Sequence, residues 1–248
     1  MPPMLAMMVF TAASLVAQSV SSPSPDARVT AFAQRLVSAM SHRDVDALTG
    51  MFHFPATIQA GSLTVPVTSR ATLAQAYDTV FTPELGCAIE RSAGSGASAD
   101  AIRKAGEGFT IGRGAVHVHP SGDSFVITRI DEPSGASPAA PRSQPKHVDL
   151  PSGQLQFAGT LAAGGADRYL VTARQGETVQ ARIERFQGRA IGVRVIDVKT
   201  GRVISTGTDA ARVVSAAAPQ SGEVAIEVTR LTFCDPAVSY LLTLSKHR

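Results

Sequence analysis

The last hundred residues constrain the fold most. From Val148 to Arg248 the chain is a run of short segments of alternating apolar character, broken by turn residues. The spacing predicts strands at Leu155–Leu161, Asp167–Ala173, Thr178–Arg185, Ile191–Asp197, Arg202–Ser205, Ala211–Ala217, Glu223–Thr229 and Ser239–Ser245. Gly164-Gly165, Gln175-Gly176, Lys199-Thr200-Gly201 and Gln220-Ser221-Gly222 supply the turns between them. Short strands at regular spacing with such turns build a β-sandwich. Val193 and Val195, and then Val224, Ile226 and Val228, alternate as residues on one inner face must.

The chain upstream mixes two periodicities. Val29, Phe32, Ala33, Leu36, Val37 and Met40 recur every three or four residues and predict a first helix. A short helix follows over Arg43–Met51. Ile58–Val67 alternates around Gly61-Ser62 as a hairpin, with Pro55 closing the segment before it. Ser69 is placed to cap a helix over Arg70–Phe81 that stops at Thr82-Pro83. Cys87–Ile89 is expected to start a strand, Ser92–Ala99 to be a loop, and Phe109–His119 and Ser124–Ile130 to be two further strands.

These patterns divide the 248 residues into four parts. Residues 1–20 are expected to be a signal peptide: Met4–Ala17 is apolar, too short for a membrane span, and small residues follow at Ala17 and Ser19. Residues 26–131 form an α+β domain. Residues 132–147 are a Pro-rich linker with no apolar periodicity, and 148–248 form the all-β sandwich. The expected compartment is the bacterial periplasm or the exterior, with nothing left embedded in a membrane after cleavage.

Two family resemblances follow from quoted residues. Residues 26–131 resemble the nuclear transport factor 2-like superfamily, which includes ketosteroid isomerase. The likeness lies in the long first helix, the Arg43–Phe52 helix, the run Tyr77-Asp78-Thr79-Val80-Phe81-Thr82-Pro83 and the closing segment from Gly108 to Val116. It implies an α+β cone, with helices on a curved antiparallel sheet enclosing a pocket, and it implies no activity. Residues 148–248 resemble the bacterial pre-peptidase C-terminal domain. That likeness rests on Gly165–Val171 with Ala173-Arg174-Gln175-Gly176-Glu177, on Val193–Asp197 with Thr200-Gly201, and on Pro219–Val228 with Tyr240–Leu244. It implies a non-catalytic accessory module.

The net charge of +3 is scattered and there is no Trp, which argues against nucleic-acid binding. No phosphate loop, dinucleotide fingerprint or metalloprotease motif is present, and no cofactor is expected. Phe32, Leu36, Phe52, Phe54, Tyr77, Phe81 and Phe109 are the expected lining of a pocket for a small apolar ligand. His117 and His119 share one face of a strand and are weak metal-ligand candidates; a solvent-facing pair is the simpler reading. Tyr77 with Asp78 is the nearest thing to an isomerase acid/base pair, although the first helix lacks the family's Tyr. Cys87 and Cys234 are the only cysteines, one on each side of the linker. They are either bridged, which requires α-carbons within about 7 Å, or two separate buried thiols. The preferred function is that of an exported, non-enzymatic binding protein for a small apolar ligand or for a protein or cell-envelope partner. The alternative is an enzyme of ketosteroid isomerase type, and homodimerisation is a third expectation. Limited proteolysis is expected to cut first between Asp131 and Val148 and to leave two stable fragments; a single resistant core cut elsewhere would overturn the division.

Overall fold

The computed structural model describes residues 25–60, 63–94, 101–133, 143–150, 153–187, 191–208, 210–235 and 237–247. The expected signal peptide and most of the linker lie outside the described residues. Four helices come early: α1 (Pro25–Ser41), α2 (Val45–Thr49), α3 (Arg70–Val80) and α4 (Pro83–Ala93). Interleaved with them are β1 (Phe52–Ala60), β2 (Leu63–Val67), β3 (Ile102–Ala105), β4 (Gly108–Ile111), β5 (Val116–Ser121) and β6 (Ser124–Asp131). These six strands form one sheet in the order β2-β1-β6-β5-β4-β3. The rest of the chain is β7 (Lys146–Val148), β8 (Gln154–Leu161), β9 (Ala166–Ala173), β10 (Thr178–Gln187), β11 (Ile191–Asp197), β12 (Val203–Thr208), β13 (Val213–Ala217), β14 (Gly222–Arg230) and β15 (Val238–His247). They make a four-stranded sheet, β13-β10-β15-β8, and a five-stranded sheet, β12-β11-β14-β9-β7.

The helices form for local reasons. On α1, Val29, Phe32, Ala33, Leu36 and Met40 present one buried face to the first sheet. Asp44 caps α2, its carboxylate accepting from Ala47 N. Ser69 caps α3 in a reciprocal box with Thr72. α4 stands where a strand was expected. Thr82 accepts from Leu85 N, Pro83 sits at the first helical position, and Leu85 and Ile89 bury one turn apart. The short run Cys87–Ile89 carries no period of its own, and the cap upstream decides its conformation.

Two strand boundaries also differ from expectation. β1 runs through Pro55, because neither the β1–β2 nor the β1–β6 ladder has a partner there and the missing N–H costs no bond. The expected Phe109–His119 strand is split into β4 and β5. Gly112, Arg113 and Gly114 all take positive φ and turn the chain between them.

An α+β cone followed by a separate sandwich is not what the chain builds. Among the described residues the structure is mostly β, with three sheets and four helices. The first sheet is mixed, since β1 and β6 run parallel. The strand-rich region is not separate from the helical one: Phe233, from the loop before β15, is 5% exposed and belongs to the core built by α1, α3, α4 and the first sheet.

The remaining two sheets enclose a second core, where Val193, Val195, Val224, Ile226 and Val228 are all buried. Tyr169 on β9 and Tyr240 on β15 join the sheets through their hydroxyls, 2.8 Å apart, and Tyr240 donates in turn to Asp167. Burial, then these hydrogen bonds, hold the Tyr240 phenol well above its ordinary range, so it stays a neutral donor.

The ring of Phe233 lies directly on Gly86 of α4; a Cβ there would meet the ring at 2.4 Å. Two effects of Gly86→Ala therefore oppose. Helix propensity favours Ala by about 0.8–1 kcal/mol, and overpacking costs about 1–3 kcal/mol. In urea unfolding, G86A should destabilise the wild-type chain but stabilise a Phe233→Ala background. Destabilisation of equal size in both backgrounds would mean that the ring contact is not the cause.

Candidate functional site

A cleft of about 930 Å³ opens where the two regions meet. One wall is α4, contributing Glu84, Cys87 and Arg91; the opposite wall is the Phe233–Asp235 loop with Ala163. The turn at residues 112–115 and the exit of β6 at Asp131, Glu132 and Pro133 complete it.

The walls are held together by a clasp. Gly86, Cys87 and Glu90 fall on one face of α4, because residues three and four apart are helical neighbours. Phe233 covers Gly86. Cys234 is joined to Cys87 by a disulfide, with α-carbons 4.6 Å apart. The Glu90 carboxylate accepts from Phe233 N at 2.6 Å and from Cys234 N at 3.1 Å. Arg230 is buried behind the loop and donates to the carbonyl of Asp235. Burial depresses its pKa, and Asp235 and Glu90 oppose that shift.

The floor is tied to the helix as well. Ser92 Oγ donates to Ala88 O at 2.9 Å and accepts from Gly112 N at 3.0 Å. Arg91 and Arg113 flank that contact in sequence, and both line the cleft. Glu84 lies seven residues before Arg91, two turns or about 10 Å along the helix. Glu132 is within electrostatic reach of Glu84. The cleft lining therefore carries charges of both signs, with Glu84, Asp131, Glu132 and Asp235 beside Arg91 and Arg113.

Its acids differ in how they are engaged. Asp131 accepts from Arg129 Nε at 2.6 Å and meets His117 Nε2 at 2.8 Å. Asp235 accepts from Thr232 Oγ1 at 3.2 Å. Glu132 Oε1 is buried with no hydrogen-bond partner. Burial first, then the neighbouring Glu84, hold the Glu132 carboxyl above the ordinary carboxylate range.

The residues singled out from the sequence fall elsewhere. Phe32, Leu36, Phe52, Tyr77, Phe81 and Phe109 are buried in the first core, with Phe54 half-buried against them. Their rings meet one another: Phe52 stacks on Phe54, Tyr77 tilts against Phe81, and Phe109 and Phe32 each meet Phe125 edge-on. None of the seven lines the cleft. Tyr77 donates its hydroxyl to Met40 O at 2.6 Å, and Asp78 makes a two-point ion pair with Arg43 while its side chain is 56% exposed. His117 and His119 share the solvent face of β5. Among the described residues no three His, Cys, Asp or Glu converge as metal ligands. No described helix is long and apolar enough to cross a membrane. Sequence reasoning missed Glu84, Glu132 and Phe233. Glu132 was read as the start of the linker, and no local pattern marks a phenylalanine that packs against a helix nearly 150 residues upstream.

No family model matches the chain, so neither resemblance drawn from the sequence has one behind it. No curated protein matches either. Solved structures similar to it include PliG from Aeromonas hydrophila, described as a periplasmic lysozyme inhibitor of g-type lysozyme. It is 19% identical, covers 42% of this chain and all of that one, and has a TM-score of 0.34. PliG from Salmonella Typhimurium is 15% identical over 41% of this chain and 98% of its own, with a TM-score of 0.32. The pre-peptidase C-terminal domain of a Bacillus anthracis collagenase is 13% identical over 44% and 98%, with a TM-score of 0.33.

The raised Glu132 carboxyl fixes the sign of a pH effect. With the folded pKa above the unfolded one, the folded chain takes up its proton first as pH falls. Stability from this group is then gained on acidification and lost as pH rises through the folded value. Glu132→Gln should therefore stabilise the protein against urea at pH 7, and the difference from wild type should vanish below pH 4. An unchanged difference across that range would remove the burial of charge as its cause.

Proposed function

We propose that this chain is an exported, non-catalytic binding protein whose seam cleft receives an extended segment of a protein partner. The Glu84–Glu132 pair takes a basic side chain of that segment, and Arg91 and Arg113, which also line the cleft, face an acidic group or backbone carbonyls. The observation that carries this reading is the Glu84–Glu132 pair: two neighbouring carboxylates line an open cleft, and one buried oxygen has no donor. Bringing a guanidinium or ammonium group to such a pair relieves their repulsion and supplies the missing hydrogen bond. The Cys87–Cys234 disulfide supports an oxidising compartment, as in the periplasm or outside the cell. Residues 26–131 and 148–248 both line the cleft, together with Glu132 and Pro133 from the segment between them.

Calorimetry at low salt with the capped peptide Ala-Ala-Arg-Ala-Ala tests the reading. The wild-type protein should bind it, and the same peptide with Ala for Arg should not bind. Glu132→Gln and Glu84→Gln should each weaken binding about tenfold, a loss of about 1.4 kcal/mol. Equal binding of both peptides, or variants that match wild type, would overturn the proposal.

A further inference from the structure

The edges of the three sheets are managed unequally. A strand at a sheet edge offers a row of unpaired N–H and C=O groups, and proteins blunt such edges with charge, proline, shortness or cover. In the first sheet, the edge strand β2 carries Pro66, and β3 carries Arg103 and Lys104 over four residues. In the five-stranded sheet, β7 is three residues long and carries Lys146 and His147. β12 and β13 are edges of different sheets but lie against one another. Gly207 of β12 has room only for hydrogen, since a Cβ there would meet Val214 at 2.4 Å.

β8 has none of these devices. It is eight residues long, Gln-Leu-Gln-Phe-Ala-Gly-Thr-Leu, with no charge and no proline. It pairs with β15 on one side and with no strand among the described residues on the other. Leu155 is 41% exposed and Phe157 only half-buried, so apolar surface accompanies the open row.

We propose that β8 is the pairing edge for a second copy of this chain, joining two four-stranded sheets into one eight-stranded sheet across a two-fold axis. Self-pairing is the case in which any charge on the strand is brought towards its own copy, so an uncharged strand is what it requires. Antiparallel partners must share a face of the sheet. Leu155, Phe157, Gly159 and Leu161 face inward opposite buried residues of β15, while Gln156, Ala158 and Thr160 face outward. An axis at Ala158 satisfies this rule. It sets Leu155 opposite Leu161 of the second copy, Gln156 opposite its Thr160, and Ala158 opposite its own equivalent. The exposed Leu155 then gains an apolar neighbour. The contact is narrow, well short of a standard interface of roughly 1,600 Å², so the dimer is concentration-dependent.

The register supplies its own test. Ala158 is exposed and faces outward, so charging it leaves the monomer's packing untouched. Sedimentation velocity on the full chain, from 1 to about 500 µM in the sense of a weak dimer, should show monomer and dimer in exchange. Ala158→Lys and Ala158→Glu should each raise the dissociation constant at least tenfold, and an equimolar mixture of the two should restore it to near the wild-type value. A wild-type chain that stays monomeric throughout would overturn the proposal. So would a dimer indifferent to both variants, or one that the mixture fails to restore.

Discussion

The clasp between α4 and the loop before β15 is the contact on which the rest depends. Three interactions act on a single helical face, and each fixes something different. The Cys87–Cys234 bond spans a sequence separation of 147 residues and limits distance, contributing about 4–5 kcal/mol on the chain-entropy account. It leaves the loop free to rotate. Burying the Phe233 ring contributes about 1.5–3 kcal/mol and seats the loop on the helix at Gly86. Glu90 then fixes the backbone by accepting from two consecutive N–H groups. The same carboxylate offsets part of the cost of burying Arg230, so removing it would expose two faults at once.

The cleft is a consequence of that clasp. Its two walls come from segments far apart in sequence and meet only because the loop is pressed onto the helix. Neither region holds the site alone: Glu84, Arg91 and Asp131 belong to the first, Phe233, Asp235 and Ala163 to the second, and Glu132 begins the segment between them. Within it, desolvation first and then the nearby Glu84 hold the Glu132 carboxyl above its ordinary value.

The sequence was most legible where each residue's environment is set by its immediate neighbours. Val193, Val195, Val224, Ile226 and Val228 alternate because one face of each strand is buried, and their placement could be read directly. The helices with strong caps, at Ser69 and Asp44, were legible for the same reason. α4 was misread because Gly86, Cys87 and Ala88 are small residues compatible with either periodicity, and Gly86 in particular is unfavourable in a helix. Its presence makes sense only once the ring of Phe233 is on top of it. The turn at Gly112-Arg113-Gly114 was passed over inside an apolar run. The cleft was illegible because it is made of contacts between distant segments, and its most informative atom, the buried Oε1 of Glu132, sits in a stretch that reads locally as linker.

The segment linking the two regions is anchored at both described ends, and this complements the clasp. Glu132 N donates to Gln59 O on β1. At the other end Ser143 donates to Ala166 O and to Asp167, and Lys146 lies over the ring of Tyr169. Asp167 in turn receives the Tyr240 hydroxyl, so the end of the linker is tied to the hydrogen bonds that join the two sheets of the sandwich. Burial holds the Tyr240 phenol well above its ordinary range, so it stays protonated and keeps donating to Asp167. The regions are thus connected twice, once through the main chain and once through the cystine. One tie alone would leave a hinge; two at different places on the seam oppose rotation about either. The two ties therefore hold the walls of the cleft at their spacing.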